Sequence, residues 1–389
     1  MTIPARFGLA YAVLFAGVGI FYTYMALYLK AAGLTGTQIG IILAVLPLAG
    51  FITQPLWGLL SDIYQVRRSM LAAACFALAI IGCLYVVSDS FVWLLGCTIA
   101  LAVVRSPVGP LCDALALEYL ETMSRRRDYG RLRLWGSIGY AVAALATGAL
   151  VIGYSLQLIL YLFSATMVIM GIVSLALPDA PRSDIRPTLR DGRAVLVANP
   201  ILVKVLLGAL LVGTTLGVVN SYQIVYLADI NAPGWVSGLA FAISGLIEAG
   251  LMGVAAPLIH RWGLRAVLIG GIALLPLRWL LYTVITDPIL VLPTQILHSA
   301  AMLSLLVAAV LFVDQHLDSR WRATGQTLYQ ASLHGVGSAI GLVGAGVIYE
   351  RAGITEVWAT CAVVGTLGLA AMIWATWTPI AQRLETTGV

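Results

Sequence analysis

Charged residues are scarce in this sequence. Lysine, arginine, aspartate and glutamate make up 10% of its 389 residues, whereas 61% are hydrophobic and the mean hydropathy is +0.98. A soluble domain has about 25% charged residues, so this shortage excludes a water-soluble enzyme of this size. The 39 glycines lie within apolar sequence, which is typical of packed membrane helices. The composition therefore predicts an all-α membrane protein.

The sequence also lacks the motifs of common active sites and metal sites. It has no His-rich cluster, nucleophile elbow or phosphate loop, and its five cysteines show no CxxC or metal-ligand spacing. Packing is the expected role of these cysteines, and no metal or cofactor is expected. The net charge of +5 is spread between apolar runs, so it does not indicate nucleic-acid binding. An enzyme or a receptor is disfavoured.

Apolar runs between clusters of charged and turn residues predict twelve spanning helices, since about 20 apolar residues cross a bilayer. The predicted windows of spans 1 to 12 are 7–29, 37–60, 69–87, 91–120, 132–153, 156–177, 201–228, 235–259, 266–286, 289–313, 324–349 and 354–377. Residues 178–200 are the one long polar connection. The chain is therefore expected to form an N-terminal bundle (1–177), a cytoplasmic linker (178–200) and a C-terminal bundle (201–389).

The distribution of basic residues predicts the orientation, because positive charge is disfavoured in translocated loops. In this scheme sixteen of the 22 lysines and arginines fall on one side of the membrane. Only Lys30 and Arg351 fall on the other side. The remaining four lie within spans or at their edges: Arg105, Arg133, Lys204 and Arg278. Both termini are therefore expected in the cytoplasm.

The two halves resemble each other at an offset of 198 residues. The segment from Tyr24 to Leu29 at the end of span 1 matches the segment from Tyr222 to Leu227 at the end of span 7. The same offset relates further pairs: Gly36 to Gly234, Gly40 to Gly238 and Arg67 to Arg265. Duplicated six-span halves are common in transporters that place a substrate site between two bodies.

The connection between spans 2 and 3 carries a motif of glycine, aspartate and two arginines. Gly58 is followed by Asp62 four residues on and by Arg67 and Arg68. This pattern resembles the loop signature of the major facilitator superfamily, with a degenerate second copy ending at Arg265. We expect Asp62 to act as a latch that contacts a helix N-terminus or an arginine in one state only. The alternative is that the arginines only set topology.

The start of span 5 resembles the lactose-permease and phenylpropionate-permease-like branches of that superfamily. In the sugar symporters, the arginine at the position of Arg133 binds substrate and an aromatic residue, here Tyr140, stacks on the sugar. Arg133, Ser137 and Tyr140 lie within about 60° on one helical face. The resemblance also implies proton coupling by Arg278 in span 9 and His298 in span 10. The acidic residue expected three positions after His298 is absent, because Ala301 stands there.

Other ionisable residues inside predicted spans are expected to face a cavity, because a charge at mid-bilayer costs roughly 2.5–3.5 kcal/mol. Asp113 in span 4 could pair with Arg133, mirroring the acid–arginine substrate pair of the sugar symporters, and is a candidate for substrate binding and proton coupling. Arg105 resembles a residue linked to proton transfer in the superfamily. A static Arg105–Asp113 pair is disfavoured by their two-turn separation. Glu248 in span 8 is the first candidate for proton carrier or substrate acceptor, with a static Arg133 partner as the alternative. His298 could titrate near neutrality or simply donate to a carbonyl.

Neutral polar side chains complete the predicted site. Gln326, Gln330 and His334 recur every four residues along span 11 and are expected to line a cavity. Tyr24 in span 1 and the group Tyr222, Gln223 and Tyr226 in span 7 suit a sugar or an aromatic ring. Tyrosines at a membrane interface are the alternative explanation.

Together these features predict a secondary active transporter that takes up a small polar solute with protons by alternating access. A sugar, a nucleoside or an aromatic acid fits the predicted site. Proton-driven efflux of drugs or sugars is the alternative. The resemblance further implies a multi-pass monomer in the bacterial inner membrane, with the substrate, protons and lipid as its partners.

Overall fold

The computed structural model describes residues 2–64, 66–123, 128–151, 155–178, 196, 199–317 and 321–377. The described residues are almost entirely helical and contain no strand. Most of the predicted linker 178–200 lies outside the described residues. The prediction of an all-α membrane fold is confirmed, and the helix ends fall within a few residues of the predicted windows.

Each predicted span corresponds to one helix or to consecutive helical pieces. The N-terminal six are Ile3–Ala31, Gly36–Tyr64, Arg67–Leu84, Phe91–Arg105 with Val108–Thr122, Tyr129–Val151 and Leu158–Leu175. The C-terminal six are Pro200–Asp229, Gly234–Gly253 with Ala255–Trp262, Leu264–Val284, Val291–Leu303 with Ala309–His316, Arg322–Gln330 with Ser338–Ala352, and Ile354–Thr376. A π turn joins the pieces of span 10 (Ser304–Ala308) and of span 11 (Ala331–Gly337).

Eleven described segments are long and apolar enough to cross a membrane. The twelfth predicted span, Tyr129–Val151, is a helix of 23 residues, about 35 Å long at 1.5 Å per residue. It carries Arg131 and Arg133 in its first turns. Span 4 is interrupted at Ser106 and Pro107, because proline cannot continue the helical hydrogen-bond ladder.

Close helix contacts repeat at the 198-residue offset found in the sequence. A Cβ atom added to Gly19 would clash with the backbone oxygen of Tyr140, and one added to Gly217 would clash with Ser338. These are equivalent pairs of spans 1 and 5 and of spans 7 and 11. Glycine at such crossings lets two backbones approach closely, so the duplication extends from sequence to packing.

The two halves meet at one face of the molecule, which we call the closed face and which contains the ends of spans 1 and 7. Span 5 crosses span 8 there at Gly148 and Gly238, and span 11 crosses span 2 at Gly346 and Gly40. None of these glycines has room for a Cβ atom. These two crossings are again equivalent at the 198-residue offset.

Polar contacts also join the halves at the closed face. Lys30 Nζ lies 2.5 Å from Asp229 Oδ1, and the Thr37 backbone N–H donates to Glu350 Oε2 at 2.8 Å. Glycines at the opposite ends of the same spans, Gly58, Gly130 and Gly253, have no neighbour within 4 Å of a Cβ position. We call this opposite side the open face.

Candidate functional site

A cavity of about 720 Å³ lies between the two halves. Its walls come from spans 1, 2, 4 and 5 of the N-terminal half and from spans 7, 8, 10 and 11 of the C-terminal half. Eight residues of the predicted site line it: Arg105, Arg133, Ser137, Tyr140, Gln223, Glu248, His298 and His334. These side chains come from six different spans, so tertiary packing brings them together.

Span 5 presents one continuous polar face to the cavity. Arg133, Ser137 and Tyr140 all line it, as their helical spacing predicts. The Arg133 guanidinium carbon lies 4.2 Å from the centroid of the Phe15 ring and 5.6 Å from that of Tyr11. Cation–π contacts of this kind stabilise an arginine without neutralising it, so the charge of Arg133 remains available to a bound solute.

Arg105 is held in a similar way on span 4. Its guanidinium carbon lies 4.1 Å from the centroid of the Tyr22 ring, and both residues line the cavity. The Tyr22 hydroxyl is buried and has no hydrogen-bond partner among the described residues. The static Arg105–Asp113 pair, which the sequence disfavours, is not among the described ion pairs.

Asp113 does not line the cavity, in contrast to the expected role in substrate contact. Its Oδ1 atom accepts hydrogen bonds from the Tyr11 hydroxyl at 2.7 Å and from the Tyr129 hydroxyl at 2.9 Å. No ion pair with Arg133 is formed within the described part of the chain. The reason is packing, because span 4 turns this carboxylate toward two tyrosines of spans 1 and 5, and Tyr11 then lies between Asp113 and Arg133.

Glu248 on span 8 faces the cavity from the C-terminal half. Within the described residues it has no hydrogen bond or ion pair, and Arg133 across the cavity is the charged group that acts on it electrostatically. The static Arg133 partner considered from the sequence would need a direct contact, which the described structure does not contain. A carboxyl group and two arginines therefore share one cavity without pairing.

The family follows from comparison with known proteins. The model of the MFS_1 like family matches residues 5–360. The chain belongs to this family of major facilitator transporters. It is 29% identical to the maltose permease of Geobacillus stearothermophilus over 368 residues, which is 93% of each chain.

Two further comparisons agree with this assignment. A protein of Escherichia coli named probable 3-phenylpropionic acid transporter is 32% identical over 183 residues, 46% of this chain and 45% of that protein. The crystal structure of the nucleoside transporter NupG superposes with a TM-score of 0.87 at 18% identity, covering 97% of this chain and all of that one. At this identity the structural likeness shows the fold alone, which is that of a multi-pass membrane transporter.

In this MFS_1-like transporter, Arg278 is fully buried beside the cavity rather than exposed to it. Its Nη2 atom donates to Gln223 Oε1 and to the Tyr282 hydroxyl, each at 2.8 Å, and to Gln295 Oε1 at 2.9 Å. His298 lines the cavity, and its Nδ1 atom is buried without a hydrogen-bond partner in the described structure. The carbonyl partner considered for His298 is thus not observed at Nδ1.

Three tyrosines of the predicted site stabilise helix packing instead of lining the cavity. Tyr24 donates to the backbone oxygen of Ala144 at 2.7 Å, and Tyr226 donates to that of Ile285 at 2.7 Å. Tyr222 donates to the backbone oxygen of Gly36 at 3.4 Å and thereby joins the two halves. A buried hydroxyl needs a hydrogen-bond partner, and in each case a neighbouring carbonyl provides it.

The predicted stripe on span 11 is interrupted by the π turn Ala331–Gly337. His334, within this turn, lines the cavity, whereas Gln326 donates from Nε2 to the Val310 backbone oxygen at 2.7 Å. Gln326 and Gln330 are not among the cavity-lining residues. A π turn closes i to i+5 hydrogen bonds, so it rotates the following residues away from the face expected for a regular α-helix.

The residues of the loop motif lie at the open face. Arg67 forms an ion pair with Glu118, and the Arg265 guanidinium carbon lies 4.7 Å from the centroid of the Trp377 ring. Arg68 lies close to the end of span 6, with Nη1 3.5 Å from the backbone oxygen of Leu177. The side chain of Asp62 lies outside what the structure describes, so its latch role stays a prediction.

Several cavity residues were not expected from the sequence. They are Phe15, Thr23, Asn220, Ser221, Phe241, Ser244, Gln295 and Ser338. Asn220 and Ser221 continue directly into Tyr222 and Gln223, so a polar run of four in the middle of apolar span 7 was the available signal. Gln295 stands three residues before His298, one helical turn away, and could have been found by the same reasoning.

Proposed function

We propose that this transporter takes up an oligosaccharide such as maltose together with protons, by alternating access to the central cavity. The observation that carries the proposal is the placement of Arg133 and Glu248 on opposite walls of one cavity without a direct ion pair. Charged groups inside the membrane are costly, and those that face a cavity usually mark a substrate or ion site. The 29% identity to a maltose permease over nearly the whole chain supports the sugar class.

The cavity lining suits a hydroxyl-rich ring. Tyr140 and Phe15 offer aromatic faces, while Arg133, Glu248 and Gln223 offer hydrogen-bond donors and acceptors from both halves. Pockets for small molecules usually enclose about 300–1,000 Å³ and combine apolar walls with a few polar groups. A substrate that contacts both halves stabilises the state in which they close around it, which is how binding drives the conformational change.

Glu248 is the proposed proton carrier. A proton can reach Glu248 in the cavity from whichever face is open. When the proton has left, the positive charge of Arg133 across the cavity stabilises the ionised carboxylate. The transporter then changes between its two access states most readily when it holds both the substrate and the proton. His298 remains a second candidate for this role, whereas Asp113 is engaged by two tyrosine hydroxyls outside the cavity.

The proposed orientation places the open face in the cytoplasm. Arg67, Arg265 and Arg322 lie at that face, whereas Lys30 and Arg351 lie at the closed face. Basic residues concentrate on the cytoplasmic side of membrane proteins, so this arrangement corresponds to an inward-open state. Residues 1–177 and 201–389 would rock as two bodies within one monomer in the bacterial inner membrane, connected by the linker 178–200.

The proposal is tested with the purified protein in proteoliposomes. With an inward proton gradient, we expect wild-type protein to accumulate radiolabelled maltose, and Glu248→Gln to lose accumulation while retaining maltose exchange. Asp113→Asn should retain most of the accumulation. The proposal fails if Glu248→Gln accumulates normally. Outward movement of maltose driven by the inward proton gradient would favour the efflux alternative.

An aromatic carboxylate is the second candidate substrate. Arg105 and Arg133 both face the cavity on aromatic supports, so the lining offers two cations against one carboxyl group. The 32% identity to a protein named as a 3-phenylpropionic acid transporter covers 46% of this chain. Competition of 3-phenylpropionate, uridine and maltose in the same uptake assay separates the three classes. Stronger inhibition by 3-phenylpropionate than by excess maltose would favour the acid.

A further inference from the structure

Arg278 connects three polar side chains at the C-terminal wall of the cavity. It is 0% exposed, and its Nη2 atom contacts Gln223 of span 7, Tyr282 of span 9 and Gln295 of span 10. Its guanidinium carbon also lies 5.2 Å and 5.1 Å from the ring centroids of Trp279 and Tyr282. Within the described residues, none of the ion pairs includes this arginine, so amide oxygens are its principal acceptors.

The chemistry of arginine determines how these amides are oriented. A guanidinium group has only N–H donors and stays protonated in proteins. The glutamine atom that faces it must therefore be the carbonyl oxygen, since an NH₂ group in that place would oppose donor to donor. Gln223 and Gln295 must both turn Oε1 toward Arg278, and their NH₂ groups consequently point away from it.

Gln295 provides an internal check of this orientation. Its Nε2 atom donates to the backbone oxygen of Val291 at 3.1 Å and lies 3.3 Å from the Tyr282 hydroxyl. A backbone carbonyl is only an acceptor, so both ends of this amide have partners of the required type. The donors of Gln295 are thus used by Val291 of its own helix and by Tyr282 of span 9, and are not offered to the cavity.

Gln223 differs at this point. Its side chain is buried, with 2% exposure, and its Oε1 atom is held by Arg278, yet its Nε2 atom has no partner among the described residues. Gln223 also lines the cavity. A buried donor without a partner costs about 1–3 kcal/mol, and an acceptor that enters the cavity beside Gln223 would remove that cost.

We infer that Arg278 is a positioning residue: it fixes the Gln223 amide with its NH₂ group toward the cavity and thereby requires a hydrogen-bond acceptor on the substrate at that point. This role differs from the proton coupling that the resemblance to the lactose permease implies for Arg278. The inference rests on the proposed function in one respect, namely that the cavity is the substrate site.

Binding of maltose to the purified transporter tests the requirement for a donor. Gln223→Glu retains an oxygen for Arg278 but has no donor when ionised, and Gln223→Leu removes both. We expect each variant to bind maltose about tenfold more weakly by isothermal titration calorimetry, the effect of losing one hydrogen bond. Gln326→Leu is the matched control, because that amide bonds to Val310 outside the cavity, and it should bind maltose as wild type does.

The role of Arg278 is separated from proton coupling by comparing affinity with accumulation. Arg278→Gln can turn either end of its amide toward Gln223, so we expect maltose affinity to fall about tenfold. The double variant with Gln223→Leu should bind no more weakly than Gln223→Leu alone. Wild-type affinity in Arg278→Gln combined with loss of proton-driven accumulation would overturn the inference in favour of a coupling role.

A second measurement does not depend on the substrate. Arg278→Gln, Gln223→Leu and their double variant form a thermodynamic cycle in thermal unfolding, and a direct Arg278–Gln223 contact makes the shifts in unfolding temperature non-additive. Additive shifts would contradict the inference. If wild-type protein binds none of maltose, uridine and 3-phenylpropionate, the proposed function fails, and this unfolding cycle then decides the inference alone.

Discussion

The arginines of the cavity lie on aromatic rings rather than beside carboxylates. Arg105 contacts Tyr22, and Arg133 contacts Phe15 and Tyr11. A cation–π contact contributes roughly 0.5–2 kcal/mol, which offsets part of the cost of a charge in the membrane without cancelling the charge. This support keeps both guanidinium groups available to bind a substrate. Because neither arginine pairs with Glu248 in the described structure, this carboxyl group also remains available.

Tyr11 links Asp113 to Arg133, and its two roles can be separated by mutation. Tyr11→Phe loses the 2.7 Å hydrogen bond to Asp113 but retains the ring beside Arg133. We expect this variant to unfold at a lower temperature, because a hydrogen bond to a charged group contributes about 1.5–3 kcal/mol, and to bind maltose normally.

Tyr11→Leu removes the ring as well, and we expect it to lower maltose affinity severalfold in addition to the lower unfolding temperature. Calorimetry and thermal unfolding measure the two effects, and Tyr119→Phe in the same bundle is the control. Equal maltose affinity in Tyr11→Phe and Tyr11→Leu would show that the ring does not support Arg133 in binding.

Among the elements, spans 5 and 8 and spans 2 and 11 close one face of the molecule through glycine crossings. A Cβ atom at Gly238 would lie 2.8 Å from both the Ala144 oxygen and the Leu145 Cα atom. Larger residues at such a contact cost about 1–3 kcal/mol. That cost applies only while this face is closed, so these crossings set the balance between the two access states.

Gly238→Leu should therefore shift the population toward a state open at this face, by a factor between about five and 150 for that range of energies. Electron–electron double resonance between spin labels at Thr35 and Asn231, both exposed at this face, measures the opening. Gly250→Leu in the same span has free space at its Cβ position and is the matched control. An unchanged distance distribution in Gly238→Leu would contradict the role of this crossing.

At the scale of the whole molecule, a polar network joins the halves across the closed face. Asp229 of span 7 contacts Lys30 of span 1 at 2.5 Å and accepts from the Tyr349 hydroxyl at 3.2 Å. Lys30 and Asp229 are partly exposed, with 36% and 26% of their side-chain surface accessible. Such pairs contribute about 0–1 kcal/mol, so this network adjusts the balance between states and the helix crossings dominate it.

Charge reversal tests this network. Lys30→Asp places two carboxylates together, and we expect it to widen the Thr35–Asn231 distance distribution and to change the rate of maltose exchange. The combined variant Lys30→Asp with Asp229→Lys should restore both, because the pair is rebuilt with opposite polarity. Arg351→Gln at the same face is the control, and failure of the combined variant to restore either property would argue against the pair.

Much of the fold could be predicted because its causes are local. Twelve apolar runs, separated by basic turns, predict the spans to within a few residues, since the bilayer demands about 20 apolar residues in succession. The joint placement of Arg133, Ser137 and Tyr140 follows from helical periodicity alone. The 198-residue repeat relates Gly40 to Gly238, and both of these glycines lie at helix crossings in the structure.

Local reasoning failed where a side chain had a choice of partner. Asp113 contacts Tyr11, 102 residues away in sequence, rather than Arg133, 20 residues away. Tyr24, Tyr222 and Tyr226 find backbone carbonyls of neighbouring spans. The π turn in span 11 places His334 on a different face from Gln326. The i, i+4 spacing of these residues assumes a regular α-helix and gives no sign of such a turn.

The amino-acid sequence by itself determined that this chain spans a membrane with two similar halves, because the cost of burying charge acts on each residue separately. The tertiary structure decided which charges share the cavity, that Arg278 holds the Gln223 amide, and which face is closed. These properties depend on contacts between helices far apart in the chain, and such contacts exist only once the twelve spans have packed against one another.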